Sequence, residues 1–153
     1  MAHHTQRQLH QTRERNKRTM PFTKTIPILR ILDEAKAKEF YVDFLGFKLD
    51  WGNRASGALY MQVSLDECVL HLSEHSGDAW PGAAVKLHTD KIEEYVERLV
   101  AKKFPPGVAE QDPGVAEQPW GSLDMVLVDP FGNRLIFTNA SAPVPRGSSM
   151  YSQ

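Results

Sequence analysis

A chain of 153 residues, of which 41% are hydrophobic, is long enough to form one domain with a buried core. It has no apolar run of about 18 residues, and no apolar segment near its start, so we expect neither a membrane span nor a secretory signal. The single Cys68 excludes a disulfide framework within the chain and a thiolate metal site. These features predict a cytoplasmic protein that has no membrane partner.

Charge is distributed unevenly along the chain. Residues 1–20 carry five Arg and Lys and one Glu, whereas residues 21–139 carry 12 Lys and Arg and 18 Asp and Glu. An acidic body disfavours nucleic acid as a partner, because binding needs cations that face phosphates, and it favours a cationic ligand. We predict a disordered basic extension over residues 1–22, a folded domain over residues 23–139 and a flexible tail over residues 140–153.

The first half of the predicted domain, residues 23–75, indicates a strand, a helix and three further strands. An Ile- and Leu-rich run predicts the first strand over residues 25–32. Asp33 is a candidate N-cap, and Gly46 stands where a left-handed C-cap belongs. The apolar residues between them have helical spacing: Ala37, Phe40, Tyr41, Phe44 and Leu45. Alternating apolar residues predict the remaining strands, over residues 47–51, 58–65 and 68–72.

The second half, residues 82–139, repeats this order. A strand is predicted over residues 83–88, and Asp90 with Glu93 forms a candidate capping box for a helix. The apolar stripe of that helix is Ile92, Tyr95, Val96, Leu99 and Val100. A Pro- and Gly-rich loop with a seven-residue duplication follows, and then strands over residues 123–128 and 134–139. We therefore predict an α+β protein built from two tandem βαβββ modules.

Three segments carry a resemblance to a known family. They are Phe40-Tyr41 followed by Leu45-Gly46-Phe47, the segment Glu117-Gln118-Pro119-Trp120-Gly121, and the turn Asp129-Pro130-Phe131-Gly132-Asn133. Together they resemble the vicinal-oxygen-chelate superfamily, which comprises glyoxalases, bleomycin-resistance proteins and dioxygenases, and the second segment is similar to the bleomycin-resistance branch. The resemblance implies a cupped mixed sheet around a central cavity and a homodimer. It leaves open whether the modules pair within a chain or between chains.

The resemblance also implies the positions at which enzymes of this superfamily hold a divalent metal. In this chain those positions are occupied by Ile26, His71, Ala84 and Ile136. Only His71 has a side chain that can ligate a metal, whereas a catalytic site normally needs about three protein ligands. We therefore predict no metal, no other cofactor and no catalytic residue. The alternatives for His71 are a metal ligand or base in an enzyme of this fold, such as a lyase, isomerase or dioxygenase, and a histidine satisfied by a neighbour.

The candidate ligand-binding residues are Arg30, Trp51, Tyr60, His71 and Trp120. Flat aromatic rings stack on planar ligands and bind cations on their faces. The resemblance implies that Trp120 lies near a drug-binding groove, and an interface or loop-anchoring role is the alternative. We expect a metal-independent binding protein of bleomycin-resistance type that sequesters a planar, cationic small molecule. An enzyme that uses His71, and a scaffold dimer without a ligand, are the competing hypotheses.

Overall fold

Two four-stranded mixed sheets, one from each module, form the fold. The computed structural model describes residues 20–102 and 114–139. The strand order of the first sheet is β1 (Ile28–Arg30), β4 (Cys68–Ser73), β3 (Tyr60–Leu65) and β2 (Lys48–Asn53). That of the second is β5 (Ala84–His88), β8 (Arg134–Thr138), β7 (Leu123–Val128) and β6 (Ala116–Glu117). The outer pair β1–β4 is parallel, as is β5–β8, and the other pairs are antiparallel. The predicted tandem βαβββ fold is confirmed.

The predicted extension, loop and tail extend beyond the described residues. Residues 1–19 of the extension, residues 103–113 of the loop with most of the duplication, and the tail from residue 140 lie outside the described residues. Within the described ranges, no helix is long and apolar enough to cross a membrane.

The helix of the first module begins and ends as predicted but changes type on the way. It starts as α1 (Glu34–Lys38) and continues as a π-helical stretch over Glu39–Phe44. The Asp33 carboxylate accepts a hydrogen bond of 2.8 Å from the Lys36 backbone N–H, which confirms the N-cap. Gly46 has φ +86°, the left-handed conformation that a C-cap glycine adopts.

The first strand is shorter than predicted, because pairing with β4 covers only three residues of the expected 25–32. Pro27, the residue before the strand, has no N–H that could donate to β4. Its carbonyl accepts a hydrogen bond of 3.0 Å from the His71 N–H. Beyond Arg30 the ladder ends with one bond, from Ile31 N–H to the Ser73 carbonyl, before the chain turns into the helix cap.

The second module corrects two further predictions. Its helix α2 (Ile92–Val100) has Lys91 as N-cap with no side-chain cap, so the Asp90–Glu93 capping box is wrong. The Lys91 N–H is instead bound by the Thr89 hydroxyl at 3.1 Å, one residue before the predicted cap. The two-residue strand β6, which completes the module, lies within the segment predicted as a loop. Strands this short carry no detectable periodicity.

Each sheet buries one face and leaves the other partly open. The buried faces and the two helices form one core, to which the first sheet contributes Leu29, Met61, Val63, Leu70 and Leu72, and the second Leu87, Met125, Leu127, Leu135 and Phe137. On the opposite faces Ile28, Trp51, Lys86 and Val126 are exposed. Because side chains alternate along each strand, one face of each sheet carries apolar residues of the shared core. The other face carries both apolar and polar residues and is open.

A buried carboxylate joins the two modules. Asp129, in the turn between β7 and β8, accepts hydrogen bonds from the Tyr41 hydroxyl at 2.6 Å and from the Asn133 amide at 2.8 Å. The same Asn133 amide donates to the Arg30 carbonyl at 2.7 Å, so the turn also holds the end of β1. Burial, reinforced by the Asp129 charge, raises the pKa of Tyr41 well above its usual value. The turn predicted only as a hairpin connection is thus an intermodule anchor.

We expect Tyr41→Phe to lower the free energy of unfolding by about 1–3 kcal/mol, because a buried carboxylate oxygen loses a donor. Tyr95→Phe is the matched control. Its hydroxyl also joins the modules, but by a bond of 2.8 Å to the neutral Leu45 carbonyl, so a loss of only about 0.5–1.5 kcal/mol is expected. Urea unfolding of both variants measures the difference, and equal losses would contradict the special role of Asp129.

Candidate functional site

The open face of the first sheet carries most of the predicted site. One row of directly opposite residues crosses all four strands: Ile28, His71, Gln62 and Trp51. The neighbouring row contains Arg30, Ser73 and Tyr60. Because directly opposite residues of neighbouring strands project from the same face, these rows bring the predicted residues of this module close together.

A β-bulge in β2 aims two consecutive side chains at this face. The register shifts between Leu49 and Trp51, so Asp50 is the extra residue. In a regular strand Asp50 and Trp51 would project to opposite faces. Here the Asp50 carboxylate binds Gln62 and Ser64, and the Trp51 ring contacts Tyr60 and His71. The bulge therefore places an acid and an indole beside the same histidine.

Three rings form what we call the aromatic cluster: Trp51, Tyr60 and His71. The Trp51 and Tyr60 rings are stacked, with centroids 6.0 Å apart and an interplanar angle of 14°. The His71 ring meets both edge-on, at 5.4 Å from Trp51 and 5.2 Å from Tyr60. Trp51 is 43% exposed despite these contacts, so the cluster holds the indole in place and leaves part of it open to solvent.

A directional chain of hydrogen bonds orients the imidazole. The Gln62 Nε2 donates to the Asp50 carboxylate at 3.1 Å, which leaves its Oε1 to accept from His71 Nε2 at 3.0 Å. His71 Nδ1 is then free of its proton and accepts from the Tyr60 hydroxyl at 2.7 Å. Both ring nitrogens are engaged, and the tautomer with the proton on Nε2 follows from the network.

Electrostatics agree with a neutral imidazole. Partial burial lowers the pKa of His71, because desolvation penalises the charged form. The hydrogen bonds from Gln62 and Ser64 lower the pKa of Asp50, so the carboxylate at the end of the chain stays ionised. The face of the aromatic cluster is therefore formed by a neutral histidine with a fixed negative charge two hydrogen bonds away.

The two remaining predicted residues lie apart from this cluster. Arg30 is in the row next to His71, and its Nε is buried without a partner among the described residues. Trp120 lies between β6 and β7 in the other module and is 62% exposed. Its indole N–H donates to the Ser122 hydroxyl at 2.7 Å, and it makes no ring contact with any described residue. Within one chain the structure thus assembles three of the five predicted residues, with Arg30 adjacent and Trp120 separate.

Sequence and structural comparisons identify the family. The model of the family described as "Glyoxalase superfamily protein" matches residues 11–142. The chain belongs to the glyoxalase superfamily. No curated protein matches it.

Solved structures with the same fold include members of that superfamily. The bleomycin-binding protein from bleomycin-producing Streptomyces verticillus, complexed with copper(II)-bleomycin, is 24% identical with a TM-score of 0.62, over 80% of this chain and 100% of that one. The antibiotic-binding protein TnmS3 from a Streptomyces species is 23% identical with a TM-score of 0.59, over 80% of this chain and 99% of that one. A member of the glyoxalase/bleomycin resistance protein/dioxygenase superfamily from Sphaerobacter thermophilus is 22% identical with a TM-score of 0.60, over 80% and 100%. At these identities the likeness shows the fold.

The residues at the implied metal positions of the glyoxalase superfamily do not fit a metal. The two modules have the same register, since Ile28 lies opposite His71 and Lys86 lies opposite Ile136. His71 is the one side chain at these positions that can ligate a metal. Its Nδ1 is bound to Tyr60 and its Nε2 to Gln62. Over residues 20–102 and 114–139, no three His, Cys, Asp or Glu side chains are grouped so as to hold a metal ion. The described side chains therefore do not form a site at which a bound metal could polarise a substrate.

Three residues that support the cluster were not predicted from the sequence, namely Asp50, Gln62 and Ser64. The alternation in β3 contains a signal for two of them, because Met61 and Val63 on the core face leave Gln62 and Ser64 on the open face. Nothing in the sequence signals the bulge that brings Asp50 to that face. A bulge is an event of pairing between two strands, and it leaves no periodicity within one of them.

The His71 environment predicts a titration below the ordinary histidine value of about 6.5. The folded chain with its lowered pKa binds fewer protons than the unfolded chain in this range, so stability from this group is present above the ordinary value and is lost as pH falls through the folded pKa. Imidazole NMR resonances followed against pH measure it. His71→Gln should remove the corresponding part of the pH dependence of unfolding. Titration at or above the ordinary value would contradict the neutral assignment.

Proposed function

We propose that this protein is a metal-independent small-molecule binding protein of bleomycin-resistance type, which sequesters a planar, cationic ligand. The observation that carries the proposal is the aromatic cluster. An indole that is 43% exposed stands on a sheet face, held by a stacked Tyr60 and by an imidazole whose nitrogens are both occupied. Such a surface stacks on a flat ring but has no free base or metal ligand at its centre.

The cluster is organised before a ligand arrives. The Tyr60 hydroxyl, the His71 ring and the Gln62 amide are each fixed by at least one hydrogen bond, and Trp51 is fixed by ring contacts on two sides. Binding therefore immobilises few additional rotamers and loses little side-chain conformational entropy. The ionised Asp50 on the same face, in the acidic body of residues 21–139, favours a ligand with positive charge.

We also propose that the functional form is a homodimer in the cytoplasm. Small-molecule sites enclose about 70–90% of a drug-sized ligand, whereas each sheet face of one chain forms a single open wall. A second copy would supply the opposite wall and could bring Trp120 of one protomer towards the aromatic cluster of its partner. Dimerisation would in this way unite predicted residues that one chain keeps apart.

The structural comparisons support this assignment at the level of fold. One neighbour is described as a bleomycin-binding protein and another as an antibiotic-binding protein. The enzyme hypothesis is not favoured, because a His71 that acts as base or ligand would first have to break its bond to Tyr60 or to Gln62.

Bleomycin is the first probe to test, by isothermal titration of the wild-type chain with the copper-free and the copper(II) forms. Trp51→Leu should weaken binding about tenfold or more, the loss expected for truncating an aromatic anchor. Trp80→Leu is the control, because Trp80 is 87% exposed and lies outside the cluster. An affinity weaker than roughly 100 μM for both bleomycin forms, or equal effects of the two substitutions, would count against the proposal.

Metal removal gives an independent prediction. Treatment with a chelator should leave copper-free bleomycin binding and thermal stability unchanged, because the described residues supply no metal site that either depends on. Elemental analysis of the purified protein checks the same point. Stoichiometric nickel, zinc, manganese or iron, together with loss of binding after chelation, would support the enzyme hypothesis instead.

A further inference from the structure

The end of β2 that carries Trp51 receives little support from strand pairing. β2 is an outer strand of its sheet, and among the described residues it pairs only with β3. The bulge at Asp50 interrupts this pairing, and only residues 51–53 continue it. Gly52, in the middle of this stretch, lies so close to β3 that an added Cβ would be 3.2 Å from the Met61 Cβ, and it has no side chain that packs. The orientation of the indole therefore needs a further source of support.

An arginine directly after β2 ties this strand end to two other elements. Arg54 Nη2 donates to the carboxylates of Glu34, at 2.8 Å, and Glu74, at 3.0 Å. Arg54 Nη1 donates to the second oxygen of Glu74 at 3.4 Å. Glu34 is the first residue of α1, and Glu74 directly follows β4, the strand that carries His71. We call Arg54, Glu34 and Glu74 the Arg54 clamp, which connects the end of β2 to the helix and to the end of β4.

The loop that begins at the clamp is held at further points. Residues 54–59 connect β2 to β3, whose first residue is Tyr60. The Ser56 hydroxyl and His75 Nε2 share a hydrogen bond of 3.1 Å, and the His75 ring lies 6.5 Å from the Tyr60 ring. The Leu59 carbonyl accepts from the Glu74 N–H at 2.8 Å. The loop between the two stacked rings is thus attached to the segment that follows β4 at both of its ends and in its middle.

The clamp is suited to orienting a strand end more than to stabilising the fold. Hydrogen bonds from Lys38 and Arg54 lower the pKa of Glu34 to about 2, so this carboxylate stays ionised near neutral pH. The three side chains of the clamp are partly exposed, so each ion pair is weak and is screened by salt. Loss of the clamp should therefore change local order and leave global stability nearly unchanged.

We propose that Arg54 is a positioning residue of the aromatic cluster, because its two ion pairs hold the end of β2 so that the Trp51 indole stays stacked on Tyr60. No hydrogen bond or ion pair given for Arg54 in the described part of the chain reaches the cluster, so Arg54 acts through the strand. The apparent affinity of a ligand falls with the fraction of chains that present the binding-competent arrangement. This inference deepens the proposed function and rests on it, since an oriented indole affects binding only if the cluster binds the ligand.

The three tryptophans of the chain make the test internally controlled. Their indole N–H groups give three resonances in a proton–nitrogen NMR spectrum of the free protein, and single Trp→Leu variants assign them. In Arg54→Ala the Trp51 resonance should shift and its heteronuclear NOE should fall, whereas the resonances of Trp80 and Trp120 stay unchanged. Arg98→Ala is the matched control, because it removes an exposed Arg–Glu pair of 2.9 Å from α2 and should move none of the three. An unchanged Trp51 resonance in Arg54→Ala would overturn the inference.

Three further measurements separate positioning from a general loss of stability. The urea midpoint of Arg54→Ala should stay close to that of the wild type. Arg54→Lys keeps the charge but not the planar fork that spans two carboxylates, so it should restore the Trp51 resonance only in part. About 1 M NaCl should move this resonance in the wild type in the same direction as Arg54→Ala does, and should not move it in that variant. If Arg54→Ala lowers the midpoint and shifts all three indole resonances, Arg54 has only a structural role and the inference is wrong.

Bleomycin titration separates the inference from the proposed function. Arg54→Ala should weaken binding about three- to tenfold, because loss of two weak ion pairs lowers the fraction of oriented indoles, and Arg98→Ala should not weaken it. If the wild type binds neither form of bleomycin, the proposed function fails, and the Trp51 resonance alone decides whether Arg54 positions the indole. If the wild type binds and Arg54→Ala keeps the affinity, the inference is wrong and the proposed function stands.

Discussion

Within the core that the two modules share, the buried carboxylate of Asp129 joins them by hydrogen bonds. It accepts the Tyr41 hydroxyl from the first module and the Asn133 amide from its own turn, and that amide also holds the Arg30 carbonyl. Charge-assisted hydrogen bonds in a water-excluded interior are strong only when every partner is present. The anchor therefore works as a unit. Through Arg30 it also fixes the edge strand of the sheet that carries the aromatic cluster.

Separate sides of each sheet carry the core and the candidate sites. The inner faces and helices supply nearly all of the buried apolar residues, whereas the aromatic cluster lies on an outer face. A residue on an outer face can change without opening a cavity in the core. This separation explains how the fold accommodates Ala84 and Ile136 on an outer face, at positions that the family resemblance assigns to metal ligands, and how the side chains around them can form a binding surface.

Much of the fold was predictable because it depends on the spacing of apolar, capping and turn residues that are close in sequence. The stripe from Ala37 to Leu45, the Asp33 cap and the Gly46 turn each depend on neighbours within a few residues, and the structure contains all three. The prediction was wrong for the Asp90 cap, because the helix has Lys91 as its N-cap and the side-chain hydrogen bond before it comes from Thr89, to the Lys91 N–H. Of the site, Trp51, Tyr60 and His71 were named individually, but their mutual contact was not foreseen.

The sequence by itself determined the repeated module and the face of each strand, because residue type and spacing are properties of the chain alone. Together with the family resemblance it also indicated that three of the four implied metal positions hold side chains that cannot ligate a metal. Only the tertiary structure decided that Asp50 joins the face of His71 and that both imidazole nitrogens are occupied. Each of these depends on the register between neighbouring strands. The hydrophobic patterns of both strands and the turn between them set that register together, so it cannot be read from one strand alone.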